Sequence, residues 1–201
     1  MADVLTIFDL DGTLIEFNRV VVTCPMCGGT TRVLDGGCKA CTDGLKPFHK
    51  QETYDDVIPL PGRARILEQL RLEGHKLAIA TNQTDLAFDR ITMMQVSQKL
   101  ASVADALGPF DKINVAFGHL GARPPFNDAT KFTMRKPCPT ILTQLVKAFK
   151  PRCVLFVGDT RKDQLAAAAA GIGYMDANDF FLHAGWHDWI EESQLEQASR
   201  V

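Results

Sequence analysis

Residues 4–14 have the sequence VLTIFDLDGTL, in which a run of apolar residues ends in two aspartates separated by one residue. A continuous apolar run of this length predicts a strand that is buried on both faces. Two carboxylates at the end of such a strand are costly unless a cation or hydrogen-bond donors compensate their charge. Gly12 allows the chain to turn sharply directly after them. An Asp-rich turn considered by itself usually has only a structural role, so the rest of the chain must show whether this one is functional.

Similar apolar runs recur along the chain, and helical patterns separate them. The further predicted strands cover residues 77–81, 113–117 and 154–157. The predicted helices cover residues 63–73, 84–107 (as one long helix or two short ones), 139–149 and 162–170. This alternation predicts the α/β class, with a Rossmann-like, doubly wound parallel sheet covered by helices on both faces. From Asp176 onward acidic residues predominate, and we interpret this C-terminal stretch as a solvent-exposed acidic helix.

The composition indicates one globular domain spanning residues 1–201. Apolar residues make up 46% of the chain and charged residues 23%, which excludes a disordered protein. No apolar stretch approaches the roughly 18 residues that a membrane-spanning helix needs. The net charge of −2 argues against non-specific binding of nucleic acid by the whole surface. Because the first residues also lack a basic leader, we expect a cytoplasmic protein without membrane association.

Polar side chains lie at the carboxyl ends of the predicted strands, where parallel sheets of this class bind their ligands. Asp9 and Asp11 follow the first strand, Thr81 ends the second, Asp159 follows the last, and Lys136 precedes a predicted helix. Considered singly, each has an ordinary explanation as a turn residue, a strand-end residue, a surface lysine or a helix N-cap. We favour a common site because all of them occur together in one chain.

Taken in chain order, the sequence segments around these residues resemble the four motifs of the haloacid dehalogenase (HAD) superfamily of phosphohydrolases. The matching segments are DLDGT at 9–13, ATNQ at 80–83, RKP at 135–137 and GDTRKD at 158–163. The resemblance extends over about residues 5–181, nearly the whole chain outside one inserted segment. The combination of TNQ with RKP is similar to subclass IIIA, which contains histidinol-phosphate, heptose-bisphosphate and polynucleotide 3′-phosphatases.

The resemblance implies that a phosphomonoester is hydrolysed through an aspartyl-phosphate intermediate. Asp9 would be the nucleophile toward phosphorus, and Asp11 would protonate the leaving oxygen and then activate water. Thr81 and Lys136 would bind the transferring phosphoryl group and neutralise its charge.

The resemblance also implies a catalytic Mg²⁺, held by Asp9, the backbone carbonyl of Asp11 and Asp159. Hard oxygen donors together with several retained waters suit this ion. Asp163, one helical turn past Asp159, would orient metal-bound water or Lys136 from outside the coordination sphere.

Asn82, Gln83 and Arg135 flank these positions, and two interpretations stay open for them. Asn82 and Arg135 are candidates for substrate binding beside Thr81 and Lys136. A structural role in the loops explains all three flanking residues equally well.

A second pattern interrupts the alternation after the first strand. Cys24, Cys27, Cys38 and Cys41 form two CxxC pairs with ten residues between them. Four thiolates satisfy the tetrahedral coordination of a structural Zn²⁺ and leave no open position for catalysis. In a cytoplasmic chain this spacing favours metal binding over disulfides. We therefore predict a zinc ribbon at residues 20–46, inserted within the phosphatase-like domain.

The position of this insert distinguishes the chain from the phosphatases that it resembles. Heptose-bisphosphate and histidinol-phosphate phosphatases carry a zinc loop between the second and third motifs. The corresponding stretch here, 111–135, holds His119 and no cysteine, so a loop or surface role is expected for that histidine. The resemblance therefore does not transfer the substrate specificity of those enzymes.

We expect a small phosphorylated metabolite as the default substrate. The alternative is a 3′-phosphate on a nucleic-acid end, because residues 133–137 and 178–181 are similar to polynucleotide 3′-phosphatases and basic residues outnumber acidic ones over 19–50. A hypothesis of another class is a zinc-ribbon binding module on an inactive scaffold. The intact aspartates and lysine of the four motifs argue against that hypothesis.

Overall fold

The computed structural model describes residues 3–16, 57–89, 91–122, 124–183 and Trp189. Five strands form one parallel sheet in the order β3-β2-β1-β4-β5. The strands are β1 (Val4–Phe8), β2 (Lys76–Asn82), β3 (Lys112–Ala116), β4 (Cys153–Gly158) and β5 (Gly173–Asp176). The predicted α/β class and the doubly wound parallel sheet are confirmed.

The described helices are α1 (Arg63–Leu72), α2 (Met93–Leu107), α3 (Ala129–Phe132), α4 (Thr140–Phe149), α5 (Arg161–Ala170) and α6 (Ala177–His183). Of these, α1, α2, α4 and α5 correspond to the four stretches with predicted helical periodicity, whereas α3 and α6 lie outside them. The stretch 84–107 is two elements, because a 3₁₀ helix over Thr84–Phe88 ends at Asp89, which has a positive φ of 55°. A capping box between Thr92 and Gln95 then starts α2. Among the described helices, none is both long and apolar enough to cross a membrane.

Each face of the sheet carries its own hydrophobic core, since successive strand residues point to opposite faces. Phe8 and Val157 contribute to the core that includes α1, α2 and α6. Ile7 and Phe156 contribute to the core that includes α4 and α5. The central strand β1 and its neighbour β4 are therefore buried from both sides, and polar groups can reach solvent at their ends.

The residues that flank positions 17–56 lie beside each other. The Glu16 backbone N–H donates to the carbonyl oxygen of Ile58 at 2.9 Å, and the Leu60 N–H donates to that of Leu14 at 3.0 Å. The segment that the sequence marks as an insert therefore starts and finishes at one place, next to the end of β1. The predicted zinc ribbon at 20–46 and its four cysteines lie outside the described residues.

Arg63, the first residue of α1, joins the turn after β1 to helix α6. Its side chain is buried, its Nε donates to the carbonyl oxygen of Thr13 at 3.0 Å, and its guanidinium lies 4.1 Å from the ring centroid of Phe181. Burial lowers the pKa of this guanidinium. The contact fixes the turn that carries the two aspartates against the core.

The interpretation of the stretch after Asp176 as a solvent-exposed acidic helix is wrong for helix α6. Ala177, Phe180 and Phe181 form an apolar stripe that is buried in the core, and the ring of Phe180 packs edge-on against Phe8 with centroids 5.6 Å apart. Only the opposite side of the helix is exposed. The count of acidic residues obscured this stripe, because it lies between them at helical spacing.

Replacing Phe180 with alanine should destabilise the protein by about 3–5 kcal/mol, because the change leaves a cavity beside Phe8. Leu182→Ala on the same helix is the matched control, since its side chain is 66% exposed, and it should change stability by no more than about 0.5 kcal/mol. Urea unfolding of both variants measures the difference. Equal, small losses would show that α6 does not contribute to the core.

Candidate active site

The ends of three neighbouring strands form one edge of the sheet. Asp9 follows β1, and its backbone N–H continues the sheet by donating to the carbonyl oxygen of Val157 at 2.9 Å. Thr81 is the second-last residue of β2, and Asp159 follows β4. Gly12 adopts a positive φ of 85°, which the predicted sharp turn requires. The side chains that the sequence singled out therefore come together because parallel strands end at the same edge.

Lys136 connects two of the carboxylates at this edge. Its Nζ lies 2.6 Å from Oδ1 of Asp9 and 2.6 Å from Oδ1 of Asp163, and its side chain is 2% exposed. A buried ammonium is costly unless it is paired, and two carboxylates pair this one. Lys136 is thus an integral part of the site, and the alternative of an ordinary surface lysine is wrong.

Asn82 holds the backbone of Lys136 in place. Its Nδ2 donates to the Lys136 carbonyl oxygen at 3.2 Å, and its Oδ1 accepts from the Lys136 N–H at 3.0 Å. The Asn82 amide therefore ties the end of β2 to the loop that presents the lysine.

Arg135, the residue before Lys136, is half-buried, and its Nε has no hydrogen-bond partner among the described residues. His119 lies in the loop after β3, where its ring packs 4.9 Å from that of Phe88.

Three carboxylates could share one cation. One ligand oxygen from each of Asp9, Asp159 and Asp163 can be chosen so that all three lie within 4.8 Å of one another. Thr13 Oγ1 donates to Asp159 at 3.3 Å. Asp163 also accepts hydrogen bonds from the backbone N–H and the hydroxyl of Thr160 through its Oδ2. This set of hard oxygen donors fits Mg²⁺, and the excess of negative charge over Lys136 favours a divalent cation.

Burial shifts the protonation of these carboxylates. Loss of hydration raises the pKa of Asp9 from 3.8 to about 6; Lys136 opposes the rise and the charge of Asp163 adds to it. Burial, followed by the charge of Asp163, also raises the pKa of Asp159. Both shifts therefore come mainly from burial, and the charge of Asp163 adds to each.

Asp11 belongs to a second network beside the first. Its Oδ2 accepts a 2.6 Å hydrogen bond from Gln83 Nε2, which also donates to Thr81 Oγ1 at 3.0 Å. Its Oδ1 lies 2.6 Å from Nζ of Lys99, a buried lysine of α2. Sequence reasoning missed Lys99. Its signal was a lysine at a core position of an amphipathic helix, in line with the buried Val96 and Val103.

Comparisons with known proteins identify the family of this chain. A family model described as haloacid dehalogenase-like hydrolase matches residues 29–171, which is most of the chain. The chain belongs to the haloacid dehalogenase-like hydrolase family. The matched part of this HAD-like hydrolase contains Thr81, Lys136, Asp159 and Asp163, whereas Asp9 and Asp11 precede it.

Individual relatives are distant from this HAD-like hydrolase. A phosphoglycolate phosphatase from Aquifex aeolicus is 26% identical, over 82% of this chain and 80% of its own. One from Cereibacter sphaeroides is 27% identical over 64% of this chain and 49% of its own. Among solved structures, the D,D-heptose 1,7-bisphosphate phosphatase from B. bronchiseptica, complexed with magnesium and phosphate, has a TM-score of 0.58 at 21% identity, covering 92% of this chain and 87% of its own. A HAD-superfamily hydrolase of subfamily IA from Geobacter sulfurreducens has a TM-score of 0.55 at 19% identity, covering 85% of this chain and 84% of its own.

The raised pKa of Asp9 predicts how stability depends on pH in the metal-free HAD-like hydrolase. Because the folded-state pKa of about 6 exceeds the unfolded value of 3.8, the folded protein binds more protons between these values. The free energy of unfolding therefore falls as the pH rises through this window, by about 2 kcal/mol between pH 4.5 and 7.5 from Asp9. Asp9→Asn should lack this part of the fall.

Urea unfolding in EDTA at the two pH values measures this difference between Asp9→Asn and the wild type. Asp105→Asn, which removes an exposed aspartate of α2, is the control and should follow the wild type. If Asp9→Asn and the wild type showed the same pH dependence of stability, the raised pKa of Asp9 would be contradicted.

Proposed function

We propose that this hydrolase is a Mg²⁺-dependent phosphomonoesterase that acts through an aspartyl-phosphate on Asp9. The observation that carries the proposal is the buried Asp9 carboxylate, which is paired with Lys136 at 2.6 Å and lies within reach of Asp159. Such a carboxylate is held in one position, and a divalent cation and a phosphoryl group both suit the charges around it.

In the first half of the proposed reaction, an oxygen of Asp9 attacks phosphorus and the bond from phosphorus to the leaving oxygen breaks. The electron pair of that bond goes to the leaving oxygen, and Asp11 transfers its proton there. The ammonium of Lys136 and the hydroxyl of Thr81 bind the phosphoryl oxygens. The Thr81 oxygen accepts a hydrogen bond from Gln83, and its own hydrogen would donate to a phosphoryl oxygen.

In the second half, water attacks phosphorus and displaces the Asp9 carboxylate. Asp11, now a carboxylate, accepts the proton of that water, and inorganic phosphate leaves. Asp9 and Asp159 would hold Mg²⁺ together with the backbone carbonyl of Asp11, and Asp163 would fix Lys136 beside them. The ion, when bound, neutralises negative charge on the phosphoryl group.

We infer that the substrate is a small phosphorylated metabolite. The relatives from Aquifex aeolicus and Cereibacter sphaeroides are named phosphoglycolate phosphatases, which supports a small phosphate ester as the first substrate to test. A 3′-phosphate on a nucleic-acid end is the second candidate, supported by the similarity of residues 133–137 to polynucleotide 3′-phosphatases. Its other supporting segment, 178–181, is weaker, since Phe180 and Phe181 are core residues.

We further propose that residues 1–201 form one domain in the cytoplasm, with a structural zinc ribbon at residues 20–46. The adjacency of Glu16 and Ile58 supports an insert that leaves the sheet intact. Cys24, Cys27, Cys38 and Cys41 would hold Zn²⁺, with no position open for substrate. The third hypothesis, a binding module on an inactive scaffold, is disfavoured by the intact Asp9–Lys136 pair.

Hydrolysis of a substrate panel tests the catalytic proposal. Phosphoglycolate, sugar phosphates, nucleotides and a 3′-phosphorylated oligonucleotide are assayed for phosphate release with Mg²⁺ and with EDTA. We expect release that requires Mg²⁺, and a loss of at least about a thousandfold in kcat/KM in Asp9→Asn, because no other described group replaces the nucleophile. Asp105→Asn should retain wild-type activity. Undiminished activity in Asp9→Asn would refute the nucleophile, and inactivity on every ester would favour the binding module.

Elemental analysis tests the zinc proposal separately. Protein expressed with ample zinc should contain about one zinc per chain, since four thiolates complete one tetrahedral site. The double substitution Cys24→Ser, Cys27→Ser should lose the metal, whereas Cys138→Ser, outside the two pairs, should keep it. Zinc-free wild-type protein would overturn the ribbon.

A further inference from the structure

Lys99 is a charged residue on the buried side of α2, where its neighbours are apolar. It lies on the buried side of α2 with Val96, Val103 and Leu107, and it is 5% exposed. Lysine is rarely buried to this extent without a partner that needs it. An apolar side chain of similar length would pack in the same place without the cost of removing an ammonium from water.

The partner of Lys99 is the carboxylate assigned to acid–base chemistry. Nζ of Lys99 lies 2.6 Å from Oδ1 of Asp11, and the same ammonium lies 3.5 Å from Oε1 of Gln83. Gln83 Nε2 engages the other oxygen of Asp11 at 2.6 Å. The amide thus presents its oxygen to the ammonium and its nitrogen to the carboxylate, which is the orientation that the charges require.

Two donors on two different oxygens define the plane of the Asp11 carboxylate. Asp11 directly precedes Gly12, which has a positive φ, and its side chain is 21% exposed, so its own packing does not fix it. Gln83 also donates to Thr81, which connects this carboxylate to the threonine proposed to bind the phosphoryl group. The distance between the acid–base group and the phosphoryl site is therefore set by Gln83 and Lys99.

We propose that Lys99 is a positioning residue that orients Asp11 for protonation of the leaving oxygen, an inference that rests on the proposed phosphatase function. As the bond to phosphorus breaks, the proton moves from Asp11 to the leaving oxygen and negative charge develops on the carboxylate. The ammonium of Lys99 faces that charge from a fixed position, without rearrangement. Lys99 acts only through Asp11 and has no contact with the substrate in this scheme.

This role makes the effect of Lys99 depend on the leaving group. Departure of an alkoxide requires a proton, whereas departure of a dinitrophenolate does not. Lys99→Met keeps the length of the side chain and removes its charge. We expect it to lower kcat/KM about 100-fold for an alkyl phosphate, the typical size of a general-acid contribution, and by less than about threefold for 2,4-dinitrophenyl phosphate.

A double substitution separates positioning from a general structural effect. Asp11→Asn alone should show the same selective loss, and adding Lys99→Met to it should cause little further change, because the two residues act as a unit. Lys99→Arg should restore most of the activity on the alkyl ester. Lys147→Met, which removes an exposed lysine of α4, should leave both esters unaffected.

Three results would overturn the inference. Lys99→Met could reduce activity on alkyl and aryl esters equally, or its effect could add fully to that of Asp11→Asn. If the wild type hydrolyses no ester, both the proposed function and this inference are wrong. If the wild type is active and either of the two results for Lys99→Met is obtained, the inference alone is wrong. If Lys99→Met is insoluble, Lys99→Gln, with an uncharged tip, is subject to the same criteria.

Discussion

The buried ammonium of Lys136 is the interaction on which the rest of the site depends. Asp9, Asp159 and Asp163 bring ligand oxygens within 4.8 Å of one another, and without a cation their mutual repulsion would drive them apart or protonate them. Lys136 pairs with two of the three, and Asn82 holds its backbone from the end of β2. Lys136, a loop residue, is therefore held by Asp9 after β1, Asn82 at the end of β2 and Asp163 of α5.

A consequence is that the site is assembled from both halves of the sheet. The turn after β1 supplies Asp9 and Asp11, β2 supplies Thr81 and Asn82, and the region after β4 supplies two further aspartates. Two polar networks result: one centred on Lys136 and suited to a cation and a phosphoryl group, the other centred on Asp11 and suited to proton transfer. Asp9 and Asp11 are separated by only one residue, yet Asp9 pairs with Lys136 and Asp11 pairs with Lys99, so the two carboxylates have different charged neighbours.

Much of this arrangement follows from local sequence patterns. Apolar runs of strand length mark the sheet, and parallel strands necessarily bring Asp9, Thr81 and Asp159 to one edge. The pairing partners of long polar side chains do not follow in the same way, because tertiary packing decides them. Lys99 lies in the apolar stripe of α2, but a lysine is ordinarily assigned to the solvent-exposed side of a helix; Phe180 stands among acidic neighbours in the sequence and is easily overlooked. The cysteine pattern predicts a zinc site whose residues lie outside the described structure.

The most direct test of the central claim is to detect the covalent intermediate itself. Wild-type protein is mixed with Mg²⁺ and its best substrate from the panel, quenched in acid during turnover, and digested for peptide mass spectrometry. We predict a phosphoryl group on the carboxylate of Asp9. It should accumulate further when Asp11→Asn reacts with 2,4-dinitrophenyl phosphate, whose leaving group needs no proton, because water is no longer activated in that variant. Turnover without an adduct in either protein, or an adduct on a different residue, would contradict the account.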